Sequence, residues 1–133
     1  MDPKIWLPSY DEGVAHQIEF EDVTLPQYLE RSAQDHPDRV ALIFKNRRVT
    51  YSQLWRDSRR LATAFQRMGV EPGDRIAIHL PNLPQTVVAF YAALCCGGIV
   101  VLTNPLYTAV EIEHQWNDAG CKVAVTCDFL FEQ

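Results

Sequence analysis

Apolar positions along this chain alternate between helical and strand-like spacing, and the polar residues between them mark where each element starts. Thr24, Thr50 and Thr108 are each followed three residues later by Gln27, Gln53 or Glu111. This is capping-box spacing, in which the cap and N3 side chains satisfy each other's free backbone N–H groups. An apolar residue stands just ahead of each cap (Val23, Val49, Tyr107), able to staple to Tyr28, Leu54 or Ile112. The spacing predicts one helix from Leu25 to about Asp35, halted before Pro37. A second carries Tyr51, Leu54, Trp55, Leu61, Ala62 and Phe65 on one face and ends at Gly69. A third, opened by Asn82 and Pro84, is apolar nearly all round to Cys96, which predicts burial on every side. The last turns Ile112, Trp116 and Ala119 inward and stops at Gly120.

Between the helices lie short β-branched runs. Val40–Phe44 and Arg48–Thr50 flank Lys45-Asn46-Arg47, a hairpin turn in which Asn46 can take positive φ. Pro72-Gly73-Asp74 leads into a strand over Arg75–Leu80, Ile99–Leu102 reads as the middle of a parallel sheet, and Lys122–Thr126 follows. The order is an α-helix, a β-hairpin, then α-β-α-β-α-β. That order defines an α/β fold, with right-handed crossovers onto a mostly parallel sheet. Residues 1–22 lack this periodicity and read as an extended arm with isolated anchors at Trp6, Leu7, Tyr10, Ile18 and Phe20. The organisation expected is an arm over 1–22 and a domain portion over 23–133. The chain ends just past a core strand, so the sheet is expected to continue in a longer protein.

Composition narrows the function without naming it. The 133 residues are 47% hydrophobic and 22% charged, the profile of a globular domain and not of a disordered or disulfide-built chain. The net charge of −5 argues against nucleic-acid binding. That charge is segregated: residues 1–30 sum to −6, residues 31–75 to +5 and residues 76–133 to −4. The basic stretch includes Lys45, Arg47, Arg48, Arg56, Arg59, Arg60 and Arg67. It reads either as a patch for an acidic or phosphate-bearing partner or as the solvated face of one helix and a hairpin tip. Cys95, Cys96, Cys121 and Cys127 lack zinc-ligand spacing and fit structural thiols in a reducing compartment. The start Met1-Asp2-Pro3-Lys4 precedes no signal-like apolar core, so a cytoplasmic location is expected. Thr86–Leu102 is free of charge but broken by Gly97-Gly98, which divides it into a helix and a strand instead of a membrane span. Peripheral membrane association stays open.

Candidate chemistry is sparse. Parallel sheets bind ligands beyond the carboxyl ends of their strands. Here those ends carry His79-Leu80-Pro81-Asn82, Thr103-Asn104-Pro105-Leu106-Tyr107-Thr108 and Cys127-Asp128. Residues 103–108 could present hydroxyls, an amide and a helix N-terminus to a ligand, or Thr108 could simply cap its helix and Pro105 shape the turn. Gly97-Gly98 enters a strand and so is suited to close packing, not to cradling phosphate. Glu111-Ile112-Glu113-His114 holds one Glu-x-x-His, but a di-iron site needs a second copy and none occurs. His16, His36 and His79 read as structural or surface residues, and no Ser–His–Asp set can be assigned.

Three stretches resemble a known family. Arg48-Val49-Thr50-Tyr51-Ser52-Gln53-Leu54 is similar to the Thr-Tyr-x-Glu-Leu segment of adenylate-forming enzymes, and Leu94–Pro105 to their helix–Gly–strand passage. Thr103–Thr108, followed by Glu111–Gln115 and Asn117–Gly120, resembles long-chain fatty acyl-CoA ligases, as does Trp6–Tyr10 with Gly13-Val14. Coumarate-type aryl-CoA ligases share Asn-Pro-Leu-Tyr-Thr. The resemblance implies an AMP-binding enzyme in which a fatty carboxylate attacks the α-phosphate of ATP. Mg²⁺ balances the phosphate charge, and the thiol of CoA then displaces AMP from the acyl-adenylate. It also implies that the phosphate loop, adenine contacts, ribose aspartate and mobile-domain lysine lie beyond this segment. No catalytic, cofactor-binding or metal-binding residue is therefore assigned within it, and the segment alone is expected to be inactive. In some family members an N-terminal arm takes part in dimer contacts, which residues 1–22 would suit. The contrasting expectation is a freestanding flavodoxin-like binding or interaction domain.

Overall fold

The computed structural model describes residues 4–131. Before the first helix the chain is irregular, with a single turn of 3-10 helix at Leu7–Ser9 and a turn closed by the Val14 N–H on Asp11 O. Along this stretch Trp6, Tyr10, Ile18 and Phe20 are exposed and Leu7 is half-buried, so most of the arm's apolar anchors are left largely uncovered by the described residues. The elements then follow as α1 (Leu25–Asp35), β1 (Val40–Phe44), β2 (Arg47–Thr50), α2 (Tyr51–Arg67) and β3 (Arg75–His79). After these come α3 (Pro84–Cys95), β4 (Ile99–Leu102), α4 (Ala109–Ala119), β5 (Cys121–Thr126) and the short α5 (Asp128–Phe131).

The three threonine caps fall where the spacing predicts. Thr50 shows both halves of the box: its Oγ1 accepts from the Gln53 N–H at 3.3 Å, and its own N–H donates to Gln53 Oε1 at 3.0 Å. At the other end of α2 the Gly69 N–H reaches Gln66 O and the Val70 N–H reaches Phe65 O, each at 3.0 Å. This pairing is the Schellman closure, which needs the positive φ of Gly69. The same closure recurs after α3, with the Gly97 N–H on Leu94 O and the Gly98 N–H on Ala93 O.

β1 and β2 pair antiparallel as a separate hairpin, while β4, β3 and β5 form a parallel sheet in that order. Two expectations are corrected here. The hairpin loop is shorter than expected, since Phe44 pairs with Arg47, and the positive φ belongs to Lys45 and not Asn46. β4 is not the middle of the sheet among the described residues; β3 is, and β4 lies at an edge with Ile99 and Leu102 exposed. A β-branched run reports a buried strand without saying which neighbours bury it.

The core is assembled on β3. Ile76 and Ile78 meet α2 and α3 through Ala62, Phe65, Ala89, Ala92 and Ala93, with Val100, Val123 and Val125 packed beside them. α3 departs from all-round burial: its alanine face is buried, while most of its other side chains are half-buried. Ser58, fully buried on α2, has no hydrogen-bond partner for its Oγ.

At the amino end of the sheet Arg75 closes the structure. Its guanidinium donates to the carbonyls of Ala119 at 2.9 Å, Gly120 at 2.7 Å and Gly73 at 3.2 Å, fastening the end of α4 to the start of β3. A cation on these last carbonyls also suits the helix dipole. Beside it Lys122 Nζ donates to Asp74 Oδ2 and to Gly69 O, both at 2.7 Å. The Asp74 carboxyl is held below its usual range, first by the Glu71 N–H and then by Lys122.

Gly98 is where close packing is strictest. A Cβ there would lie 2.8 Å from Ile76 Cδ1 and 3.0 Å from Ala93 O. Gly98→Ala is therefore expected to cost about 1–3 kcal/mol through overpacking, read as a lower chemical-denaturation midpoint. An unchanged midpoint would show that β3 and α3 can separate freely.

Candidate functional site

The carboxyl ends of β3, β4 and β5 converge with α4 around one polar chain. His79 closes β3 and is only 2% exposed. Its Nδ1 lies 3.3 Å from Thr126 Oγ1 at the end of β5. Its ring meets Trp116 of α4 edge-on, with centroids 6.1 Å apart and an interplanar angle of 77°. The Trp116 Nε1–H in turn donates to Thr103 Oγ1 at 2.8 Å, just beyond β4. The indole thus ties the ends of β3 and β4 to α4, and His79 carries the link on to β5 through Thr126.

Over this chain opens a cavity of about 420 Å³, lined by His79, Trp116 and Thr126 together with Ile112, Glu113 and Asn117. His79 Nε2 is buried at its edge without a hydrogen-bond partner. A buried polar atom left unpaired is costly, and this nitrogen shares that state at the strand ends with Oε1 of Gln115, whose Nε2 donates to Leu102 O. The sequence reading placed His79 among structural or surface residues; its position at the last residue of a strand in a parallel sheet was the available signal.

The loop 103–108 resolves toward its structural reading. Thr103 is engaged with Trp116, and Asn104 Oδ1 accepts the Leu106 N–H at 3.0 Å as a local turn. The Thr108 N–H and hydroxyl both donate to Glu111 Oε2 at 2.8 Å. Glu111 is therefore part of the cap of α4, and these two contacts, the backbone one first, hold its carboxyl below the usual range. His114 lines a separate surface hollow with Tyr107, Glu111, Gln115 and Asp118. Among the described residues no three His, Cys, Asp or Glu side chains gather as metal ligands.

None of the chain's arginines or lysines lines the strand-end cavity. The seven clustered bases lie on α2 and the hairpin, where Arg56 pairs with Asp57 and Arg59 and Lys45 stack over Trp55 and Phe44. Lys122, the one base after residue 75, is held at the opposite end of the sheet. The residues present do not make a phosphate cradle, which would need converging backbone N–H groups or a free cation.

The AMP-binding enzyme family model matches residues 29–133, well over half of the chain. The chain belongs to the AMP-binding enzyme family. It is 42% identical over 128 residues to the long-chain-fatty-acid–CoA ligase of Bacillus subtilis (strain 168), covering 96% of the chain and 23% of the relative. It is 38% identical over 106 residues to acetyl-coenzyme A synthetase 2 of Zygosaccharomyces bailii, covering 75% of the chain and 16% of the relative. In three dimensions it resembles unliganded O-succinylbenzoate coenzyme A synthetase of Bacillus subtilis. That match has a TM-score of 0.75 and 33% identity, covering 78% of this chain and 23% of the other. The chain spans less than a quarter of the length of these curated relatives.

Within it, Thr108→Ala is expected to cost about 1 kcal/mol through loss of the cap. Because the folded pKa of Glu111 is depressed, its share of that stability is complete above the unfolded carboxyl pKa and is lost as pH falls through the folded value. Denaturation midpoints followed into acid should therefore fall less steeply for Glu111→Gln than for the native chain. Parallel slopes would remove Glu111 from the cap.

Proposed function

We propose that this chain is the scaffold portion of an ATP-dependent acid–thiol ligase that activates a long-chain fatty acid as its acyl-adenylate and transfers it to CoA. The observation carrying this reading is the identity of 42% with a long-chain-fatty-acid–CoA ligase across nearly the whole chain. Similarity to an acetyl-coenzyme A synthetase supports the same two-step chemistry on a different acid, so acid length is the point on which the proposal commits itself. ATP, Mg²⁺ and CoA would be held by residues beyond this portion, since its own strand ends supply no phosphate cradle. Its contribution is positional: β3 and the Trp116–Thr103 bond set the strand ends against which a nucleotide-binding part would pack. No catalytic residue is assigned to it.

Two further parts of the proposal concern surroundings. The enzyme is proposed to be cytoplasmic because Met1-Asp2-Pro3-Lys4 precedes no signal-like apolar core; among the described residues no helix is long and apolar enough to cross a membrane. An arm that leaves Trp6, Ile18 and Phe20 uncovered supports a homodimer in which residues 1–22 lie on a second copy.

Pyrophosphate exchange into ATP, measured with acids from acetate to palmitate, tests the proposal. The chain of 133 residues should give no exchange with any acid. The product of the longer reading frame should exchange with medium and long aliphatic acids well above acetate. Exchange by the short chain alone would overturn the scaffold role, and a long product preferring acetate would overturn the acid assigned.

A further inference from the structure

Helices α1, α2 and α3 enclose an open groove of about 540 Å³ that shares no lining residue with the strand-end cavity. Its apolar floor is made by Ala62, which is buried, and by the half-buried Leu94 and Cys95. Glu30 of α1 lines it as a half-buried carboxylate, and Arg59 of α2 lines it as an exposed guanidinium. Arg59 is held over Trp55, with its Cζ 5.7 Å from the ring centroid. The ion pairs among the described residues are Arg31–Glu21, Arg56–Asp57 and Lys122–Asp74, and none of them includes Glu30 or Arg59.

Both charges nonetheless act on the same thiol. Burial pushes the Cys95 thiol up, Cys96 adds to that, Arg59 pulls it down and Glu30 raises it again. The groove therefore holds a cation and an anion within electrostatic reach of one apolar floor, each without a counter-ion. A half-buried carboxylate gains most from a cation that arrives with its own hydrogen bonds. A guanidinium already stacked on an aromatic face loses little freedom in gripping a carboxylate.

We infer that this groove binds a short ω-amino acid, with its carboxylate on Arg59, its ammonium on Glu30 and its methylenes over Leu94, Ala62 and Cys95. The site is independent of the ligase reading, since none of these residues belongs to the strand ends.

Calorimetric titration of the chain with glycine, β-alanine, γ-aminobutyrate and ε-aminocaproate tests it, with butyrate and butylammonium as single-charge controls. Saturable binding with an optimum spacer length is expected, weakened by roughly tenfold or more in either control. Arg59→Gln and Glu30→Gln should each weaken binding as much as the matching control, roughly tenfold or more, while leaving the melting temperature unchanged. If Glu30→Gln fails to fold, the exposed Arg59 decides alone. The best ligand should also slow alkylation of Cys95 without slowing that of Cys127. The site is overturned if none of the four binds, if butyrate binds equally well, if Arg59→Gln leaves binding undiminished, or if Cys95 stays unprotected.

Discussion

Everything in this molecule leans on β3. Ile76, Ala77, Ile78 and His79 are each 2% exposed or less, so the strand is enclosed on both faces and both edges by parts of the chain that follow or precede it by tens of residues. Its two faces do different work. Ile76 and Ile78 point into the α2–α3 layer, where alanines on α3 let the helix come close. His79 turns to the other side and anchors the polar chain through Trp116 and Thr126. One short segment thus joins the hydrophobic core to the strand-end polar cluster of His79, Thr126, Trp116 and Thr103.

Local chemistry made most of the fold readable. Thr24, Thr50 and Thr108 announce helix starts because capping acts over three residues, and no distant contact is needed to recognise it. Gly69, Gly97 and Gly120 announce helix ends for the matching reason that positive φ is cheap for them. What stayed hidden was lateral order. Ile99–Leu102 and Arg75–His79 are both short apolar runs, and only tertiary packing makes the second central and the first an edge. The positive φ at Lys45 shows the same limit at small scale, since the length of the hairpin loop overrides the preference of Asn46.

The strand-end cluster was partly legible. Trp116 fell on the inward face of its helix by spacing alone. That its indole N–H would find Thr103 depends on where β4 ends relative to α4, a distance no periodicity encodes. His79 looked ordinary because a lone histidine carries no motif. The groove of Glu30 and Arg59 was equally invisible, because the two residues sit on different helices and line one groove only through the packing of α1 against α2 and α3.

The Arg75 clamp bears on how the molecule comes apart. Its bonds to Ala119 and Gly120 span 44 and 45 residues, so they close β3, α3, β4 and α4 into a ring without a covalent link. A helix held only by its own face can peel away turn by turn. Here the carbonyl end of α4 is fixed to the base of the central strand, so fraying from that side must release the guanidinium first. Opening at this corner is therefore concerted, and the four elements inside the ring tend to survive or melt as one unit.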